Sequence, residues 1–564
     1  MSGFQCGGSA PRLCRFSVRE VRLLSDFVPS GSVRRLLALL AVPVLVLSGC
    51  GDGNAGDAPA PSPDAALSSG VVRTDAGAVR GQVAPEYVLF QGIPYAAPPV
   101  GELRFEPPAP VPAWDGMRDA TKPGPRCIQD ASQNPDMRDG MSEDCLSVNV
   151  WTPTAAAGLP VMVWIHGGSF TSGSAELYNA QWLATKGRMV VVTVNYRLGS
   201  LGFLAHPGFG PPEQVGNYGL ADQQAALRWV RDNIEGFGGD PAKVTVSGES
   251  AGGMSVCDHL VAPESAGLFR AAIIMSGPCQ AQLDATAGRE NSLEYAAAVG
   301  CPDPGNAPRC LRDLPAPALE PPLWYYQIGA DGLSGPLTGT DALPVDPMQS
   351  FAKGEAAHVP VLLGSTRDEF TLFVALQYLK YGRESSPDEY PGLLADTFGA
   401  DAQAVGERYP LVNYGGSVSL AYSAAVTDGD FACVADQMAH DFAAGDAPVY
   451  AYEFTDRTAP APEPLTQLPF PAGASHSLEL RYLFDVGGAP ALDPVQQKLS
   501  DQMIEYFSEF VATGAPSAPG APEWPEFDGE TDAARMSFDA DGSRISTGFD
   551  QEHQCGFWAG LQDR

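Results

Sequence analysis

The segment Val244–Gly253 constrains the fold and the chemistry of this chain more than any other part of it. A β-branched run at Val244–Val246 predicts a buried strand, and the G-x-S-x-G sequence Gly248–Gly252 follows it directly. Glycines on both sides of Ser250 allow a sharp turn from strand to helix, which would expose the serine hydroxyl and place the Ala251 amide at a helix N-terminus. The alternative is a glycine-rich turn without chemistry. The helix-compatible residues that follow favour a nucleophile.

The first 49 residues are predicted to be an export signal. Two adjacent arginines precede the apolar run Leu36–Leu47, which is too short to cross a bilayer but fits the hydrophobic region of a signal peptide. Small residues then lead to Cys50, an arrangement that resembles a bacterial lipobox. We expect export to the cell envelope with a membrane anchor through lipid on Cys50; the alternative is an ordinary secretory signal. The polar residues 1–32 are an unusually long n-region or precede the true start.

Residues 50–69 and 70–564 are predicted to be a flexible tether and one large domain. The first stretch is rich in Gly, Ala, Pro, Ser and Asp and has no apolar periodicity, so it cannot bury enough surface to order itself. No second linker of this kind follows. The net charge is −33, which opposes nucleic acid or an anionic lipid surface as a partner.

Eight cysteines follow Cys50 and lie in the predicted domain. An even number in an exported protein indicates disulfides, although the count alone leaves the pairing open. No C-x-x-C pair or Cys/His cluster has the spacing of metal ligands, so neither a metal nor a cofactor is expected.

Near-continuous apolar runs alternate with helical segments through the domain. Such runs indicate a mostly parallel sheet covered by helices on both faces. The helix Asn217–Glu235 is predicted from apolar residues at helical spacing. With the serine turn, this pattern predicts an α/β-hydrolase fold. The apolar runs are Leu159–Ile165, Met189–Asn195, Val244–Val246, Ala271–Met275, Val359–Gly364 and Val449–Phe454.

In that fold an oxyanion hole takes further amides from the loop after an early strand. The segment His166–Phe170 follows the strand that ends at Ile165, and its glycines allow the backbone to approach a substrate carbonyl. The amides of Gly168 and Ser169, with that of Ala251, are therefore predicted to bind the oxyanion. The alternative is a tight glycine turn with no catalytic role.

The fold also places the acid and the histidine after the serine. Among the five histidines that follow the serine, His476 alone lies in a loop of small residues, so it is predicted to be the general base. The acid is expected after the strand that ends at Gly364, where Asp368 and Glu369 are adjacent. The spacing does not decide which of the two is the catalytic acid. The carboxylate that is not the acid is expected to be solvated or paired with Arg367.

Several blocks resemble the type-B carboxylesterases, the group that includes cholinesterases and bacterial carboxylesterases. The resemblance runs from about Val71 to Trp558. Its blocks are Phe90–Phe105, Ser142–Trp151, Trp164–Phe170, Asn195–Gly199 and Phe237–Gly253.

The resemblance implies a role for each matching residue. It gives Ser250 as the nucleophile and His476 as the base, and it selects Glu369 as the acid because the family's basic-Asp-Glu motif uses the glutamate. Glu249 and Ser276 match residues that support the triad. The oxyanion donors that it implies are Gly168, Ser169 and Ala251. The disulfides that it implies are Cys127–Cys145, Cys301–Cys310 and Cys433–Cys555, which leaves Cys257 and Cys279 to pair or to stay free.

Two departures from the family bear on the substrate. The loop between Cys127 and Cys145 is short and has no Trp, whereas cholinesterases place there the aromatic that receives a quaternary ammonium. Ser169 stands where the third glycine of the commonest oxyanion motif would be. The sequence thus predicts a serine carboxylesterase of small-molecule esters rather than a dedicated choline esterase. The alternatives are a specialised hydrolase of a bulky toxin, drug or polymer ester, a lipase, or a non-catalytic surface-binding protein.

Overall fold

The apolar runs of the sequence form the middle of one large mixed sheet. The structure, a computed structural model, describes residues 67–130, 138–445, 447–530 and 533–562. Its strands are β1 Val71–Arg73, β2 Ala78–Arg80, β3 Gln82–Val83, β4 Tyr87–Pro94, β5 Met117–Asp119, β6 Ser147–Pro153, β7 Leu159–Ile165, β8 Val190–Val194, β9 Gly239–Glu249, β10 Ala271–Met275, β11 Leu283–Asp284, β12 Tyr326–Ile328, β13 Asp331–Leu333, β14 Leu337–Thr338, β15 Val361–Thr366, β16 Val449–Phe454, β17 Arg535–Phe538 and β18 Arg544–Ser546.

The central sheet of the described residues has eleven strands in the order β18-β17-β16-β15-β10-β9-β7-β8-β6-β4-β3. From β17 to β8 in this order, neighbouring strands pair in parallel. At the two ends of the sheet, β18 on one side and β6, β4 and β3 on the other pair with their neighbours in antiparallel fashion. The register places Ile165 beside Gly248 and Met275 beside Glu249. Parallel strands end at a common edge, so the loops after β7, β9, β10 and β15 meet there. The prediction of an α/β-hydrolase fold is confirmed.

Helices cover the sheet. The longest helix in the described residues, Pro494–Thr513, begins with a capping box between Asp493 and Gln496. No described helix has both the length and the apolar character that a membrane span requires. The helices are α1 Gln181–Thr185, α2 Gly199–Phe203, α3 Tyr218–Asn233, α4 Ala251–Val261, α5 Ala285–Ala298, α6 Ala307–Asp313, α7 Pro347–Ala352, α8 Thr371–Tyr381, α9 Tyr390–Phe398, α10 Ala402–Arg408, α11 Val418–Thr427, α12 Cys433–Ala443, α13 Glu463–Thr466, α14 Pro494–Thr513, α15 Phe549–Glu552 and α16 Cys555–Gln562.

The predicted export signal and Cys50 lie outside the described residues, all of which belong to the compact unit Ala60–Arg564. Of the predicted tether 50–69, the structure describes only its last three residues. Leu67 among them is fully buried, because its side chain joins the hydrophobic core. Leu67 therefore packs with the core of the domain, three residues before the predicted boundary at residue 70.

Four disulfides join cysteines of the described residues. Three pairs are those that the family resemblance implies, and the fourth joins Cys257 to Cys279. Cys257 lies on α4, directly downstream of the serine turn. Disulfides persist in oxidising compartments, which indicates an exported or extracellular protein.

A buried ion network fastens the C-terminal segment to the sheet. His553 Nδ1 lies 2.6 Å from Asp428 Oδ1, and Nε2 lies 2.9 Å from Glu453 Oε1. Burial alone would lower the pKa of His553, but its hydrogen bonds to the two carboxylates and their charges raise it to about 10. The imidazolium is therefore the form that the fold stabilises.

The stability of the protein is expected to fall as the pH rises from 7 to 10. The pKa of His553 is raised above the unfolded value of about 6.5, so its contribution is complete below that pH and is lost as the pH rises through about 10. The expected loss is on the order of 2–4 kcal/mol. Urea unfolding of wild type and His553→Gln at both pH values measures it. A fall of equal size in the variant would contradict this origin.

Candidate active site

Ser250 occupies a strained turn between β9 and α4. Its backbone has φ 59° and ψ −125°, and its amide donates to the carbonyl of Met275 at 2.9 Å. A Cβ at Gly252 would lie 2.0 Å from the carbonyl oxygen of Ile165, so only glycine fits there. The turn therefore has the strained strand-to-helix geometry that presents a nucleophile.

The loop after β7 approaches this turn closely. A Cβ at Gly167 would lie 2.9 Å from Cβ of Ser250. Gly168 and Ser169 both have positive φ, 106° and 54°. Their amide N–H groups donate to no acceptor among the described residues. The loop thus keeps two backbone donors free beside the serine, as an oxyanion hole requires.

His476 and Glu369 form a buried pair at the same edge of the sheet. His476 Nδ1 lies 2.6 Å from Glu369 Oε2, and Glu369 Oε1 accepts a hydrogen bond from the Thr366 amide at 2.7 Å. The His476 amide also donates to the Glu369 carbonyl at 3.3 Å. Glu369 therefore holds the ring through Nδ1, and Nε2 lies on the side of the ring away from Glu369.

The neighbouring acid has a different partner from the one that the sequence predicted. Asp368 accepts two hydrogen bonds from Arg457, at 2.7 and 2.8 Å. Arg367 instead forms ion pairs with Glu453 and Glu552. Arg457 lies far along the chain in the loop after β16, so spacing near Asp368 could not identify it.

The second nitrogen of His476 lies beside the residue that precedes the serine. Nε2 is 3.1 Å from Glu249 Oε1, but it makes no hydrogen bond to a described residue, and neither does Ser250 Oγ. Burial alone would lower the pKa of His476, but the charges of Glu249 and Glu369 outweigh it and raise the pKa to about 9. Below about pH 9 the fold therefore favours the imidazolium form of His476.

Two further polar groups lie buried at the site. Glu479 has both carboxylate oxygens without a hydrogen-bond partner among the described residues, and burial together with the charges of Glu249 and Glu369 raises its pKa well above the usual range. Ser276 has a positive φ of 48° and a buried Oγ that also lacks a described partner. The sequence analysis missed Glu479; an acid in the apolar segment just after His476 was the available signal.

The sequence of this chain matches that of known ester hydrolases over nearly the whole described domain. The model of the carboxylesterase family matches residues 68–558. The chain belongs to the carboxylesterase family. It is 35% identical over 500 residues to the fumonisin B1 esterase of Sphingopyxis macrogoltabida, covering 85% of this chain and 87% of the relative.

Two further relatives of this carboxylesterase come from animals. The cocaine esterase of Homo sapiens is 33% identical over 505 residues, which covers 83% of this chain and 86% of the relative. The medium-chain fatty acyl-CoA hydrolase precursor of Anas platyrhynchos is 32% identical over 478 residues, covering 78% and 82%. The protein is therefore a carboxylic-ester hydrolase.

Aromatic side chains enclose the histidine of the carboxylesterase. The ring centroids of Phe373 and Phe431 lie 5.2 and 5.5 Å from that of His476. Such contacts fix the orientation of the imidazole and exclude water from it. Neither residue was predicted from the sequence, because a phenylalanine gives no local sign of which distant side chain it contacts.

One group of metal-ligand types occurs in the described residues of the carboxylesterase, away from this site. Oxygens of Asp436 and Asp550 lie close to the sulfur of Cys555. That sulfur is bonded to Cys433, so it is not a thiolate, and Asp436 already pairs with Arg535. These residues do not form a metal centre as they stand.

Proposed function

We propose that this carboxylesterase cleaves its esters through an acyl-enzyme on Ser250. His476 takes the hydroxyl proton on Nε2 while Oγ forms a bond to the substrate carbonyl carbon. The negative oxygen of the tetrahedral intermediate is bound by the amides of Gly168, Ser169 and Ala251. Glu369 holds the ring and stabilises the imidazolium.

The second half of the reaction returns the enzyme to its starting state. His476 passes its proton to the leaving alkoxide, the ester C–O bond breaks, and an acyl group remains on Ser250. A water then gives a proton to His476 and its oxygen bonds to the acyl carbon. The bond between the acyl carbon and Ser250 Oγ then breaks, Oγ recovers the proton from His476, and the carboxylic acid leaves.

The observation that carries this proposal is the buried pair of His476 and Glu369 beside the strained serine turn. The pair leaves Nε2 next to Glu249, one residue before Ser250, at 3.1 Å. A Ser–His hydrogen bond is absent among the described residues, and such bonds often form only when substrate is bound. We propose Glu249 and Ser276 as residues that support the catalytic groups without reacting themselves.

Hydrolysis of p-nitrophenyl esters from acetate to palmitate tests the proposed function. We expect the purified protein to hydrolyse the short-chain esters and to lose rate as the acyl chain outgrows the pocket. A matched assay with a fluorophosphonate probe reports whether the serine is reactive. A folded protein that neither reacts with the probe nor releases nitrophenol would overturn the proposal.

A specialised hydrolase of one bulky ester is the second candidate. Two relatives are named for particular esters, fumonisin B1 and cocaine. Labelling of Ser250 by the probe without turnover of the p-nitrophenyl series would favour this candidate over the generalist. A sharp rise in rate on emulsified long-chain esters would instead indicate a lipase.

We also propose that the mature enzyme is held at a membrane by lipid on Cys50. The lipobox-like sequence before Cys50 supports this, and the disulfides are consistent with an exported protein. Mass spectrometry of the membrane fraction would detect the diacyl modification. A Cys50→Ser variant that stays at the membrane would contradict the anchor.

A further inference from the structure

Asp430 is a carboxylate next to Phe431, one of the aromatic residues that pack on His476, and the proposed reaction does not use it. It lies in a π-helical turn, Asp428–Ala432, between α11 and α12. The next residue, Phe431, places its ring 5.5 Å from that of His476. Asp430 is only partly exposed, so it belongs to a recess rather than to an open surface.

The negative charge of Asp430 has no cation to balance it. Among the described residues no Lys, Arg or His forms an ion pair with this carboxylate; the polar groups beside it are the Gly329 amide and the Gln280 side chain, whose hydrogen bonding favours its charged form. Burial raises the pKa of Asp430 to about 7, against the lowering by these two hydrogen bonds. The group is therefore ionised in mildly alkaline solution.

An acceptor beside Asp430 lacks a hydrogen-bond donor. Gln280 Nε2 donates to the Asp430 carbonyl oxygen at 3.0 Å. Its other terminal atom, Oε1, is buried and has no hydrogen-bond partner among the described residues. Gln280 follows the strand whose end supports the serine turn. Two neighbouring acceptors, one of them anionic, match a ligand that brings both N–H donors and a positive charge.

We infer that Asp430 and Gln280 form a subsite for a protonated amine carried by the ester substrate. Asp430 directly precedes Phe431, whose ring packs on that of His476, so we place the subsite within reach of an ester bound at the serine. Binding the amine would pair a carboxylate that is otherwise buried without a counter-charge. The strongly acidic protein would also attract a cationic substrate over a longer range. This inference rests on the proposed ester hydrolysis at Ser250.

Two esters of equal shape test the inference. At pH 8, 2-(dimethylamino)ethyl butyrate is largely protonated, whereas 3-methylbutyl butyrate is its neutral counterpart. We expect the wild type to have a kcat/KM at least about tenfold higher for the amine ester. Asp430→Asn should remove this preference, while the rate on the neutral ester changes less than about twofold.

The matched control is Asp441→Asn. Asp441 is another partly buried carboxylate with a raised pKa, caused by burial, but it lies on α12 and is hydrogen-bonded by Gln437. Its loss removes the same charge and should keep the preference, as should Asp430→Glu to a lesser degree. An equal loss on both esters in Asp430→Asn, or no preference in the wild type, would overturn the inference.

The outcomes separate the inference from the proposed function. A wild type that hydrolyses neither ester contradicts the proposed function. Hydrolysis of the neutral ester without a preference that depends on Asp430 contradicts the subsite alone. If Asp430→Asn does not fold, inhibition of the wild type decides: n-butylammonium should inhibit neutral-ester hydrolysis at least tenfold more strongly than n-butanol, and equal inhibition overturns the subsite.

Discussion

Replacing Ser250 with alanine is expected to lower kcat for p-nitrophenyl acetate by at least about 10⁴-fold. The variant lacks the oxygen that forms the acyl-enzyme, and only the backbone donors of the oxyanion hole remain to stabilise the transition state. The change removes one atom from a partly exposed side chain that makes no hydrogen bond to a described residue. Folding should therefore be unaffected, which thermal unfolding by circular dichroism measures.

Ser255→Ala is the matched control for this variant. Ser255 is a buried serine of the same helix, and its Oγ donates to the Ala251 carbonyl at 3.0 Å. Its loss disturbs the helix without touching the proposed chemistry, so activity should stay within a few-fold of wild type. A folded Ser250→Ala that keeps more than about one per cent of the activity would exclude Ser250 as the nucleophile.

Glu369→Gln is expected to lower kcat by about 10³–10⁴-fold, whereas Asp368→Asn should change it only a few-fold. Glu369 accepts the Nδ1–H of His476, and a glutamine can turn an N–H toward that nitrogen and favour the wrong tautomer. Asp368 is bound to Arg457 and does not contact the ring. The two variants neutralise adjacent acids, so long-range charge effects largely cancel in the comparison.

The pH profile of the same variant gives a second readout. The charges of Glu249 and Glu369 raise the pKa of His476 against the effect of burial, so removing one of them should lower it from about 9. Activity should rise with pH as His476 loses its proton, so this rise should occur at a lower pH in Glu369→Gln than in the wild type. A profile that does not move, or an equal loss of kcat in Asp368→Asn, would show that Glu369 is not the partner of the base.

The part of the fold that the sequence predicted depends on local patterns. The β-branched run at Val244–Val246 predicted a strand, and the structure extends that strand to Gly239–Glu249, with the serine at its end. The predicted helix Asn217–Glu235 is observed as Tyr218–Asn233. Each of these features follows from backbone preferences and apolar periodicity within a short stretch, which a sequence displays directly.

Contacts between distant segments could not be predicted in this way. The partner of Asp368 is Arg457, and the aromatic contacts of His476 come from α8 and from the π-helical turn near Phe431. The unpartnered oxygens of Glu479 and of Gln280 have no signature at all in the residues around them. These features depend on which side chains the packing brings into contact, and on which polar atoms it leaves without a hydrogen-bond donor.

The sequence by itself determined the serine turn, the glycine loop, the order of strands and helices, and through these the class of enzyme. Glycine and β-branched residues restrict the backbone wherever they occur, so these features are local properties of the chain. Only the tertiary structure decided that Nε2 of His476 has no hydrogen bond to a described residue and that Asp368 binds Arg457 rather than the histidine. It also decided that the carboxylate of Asp430 has no ion pair with a described cation. Such properties arise from desolvation and from close contacts between residues far apart in the sequence, because burial sets the free energy of each charge.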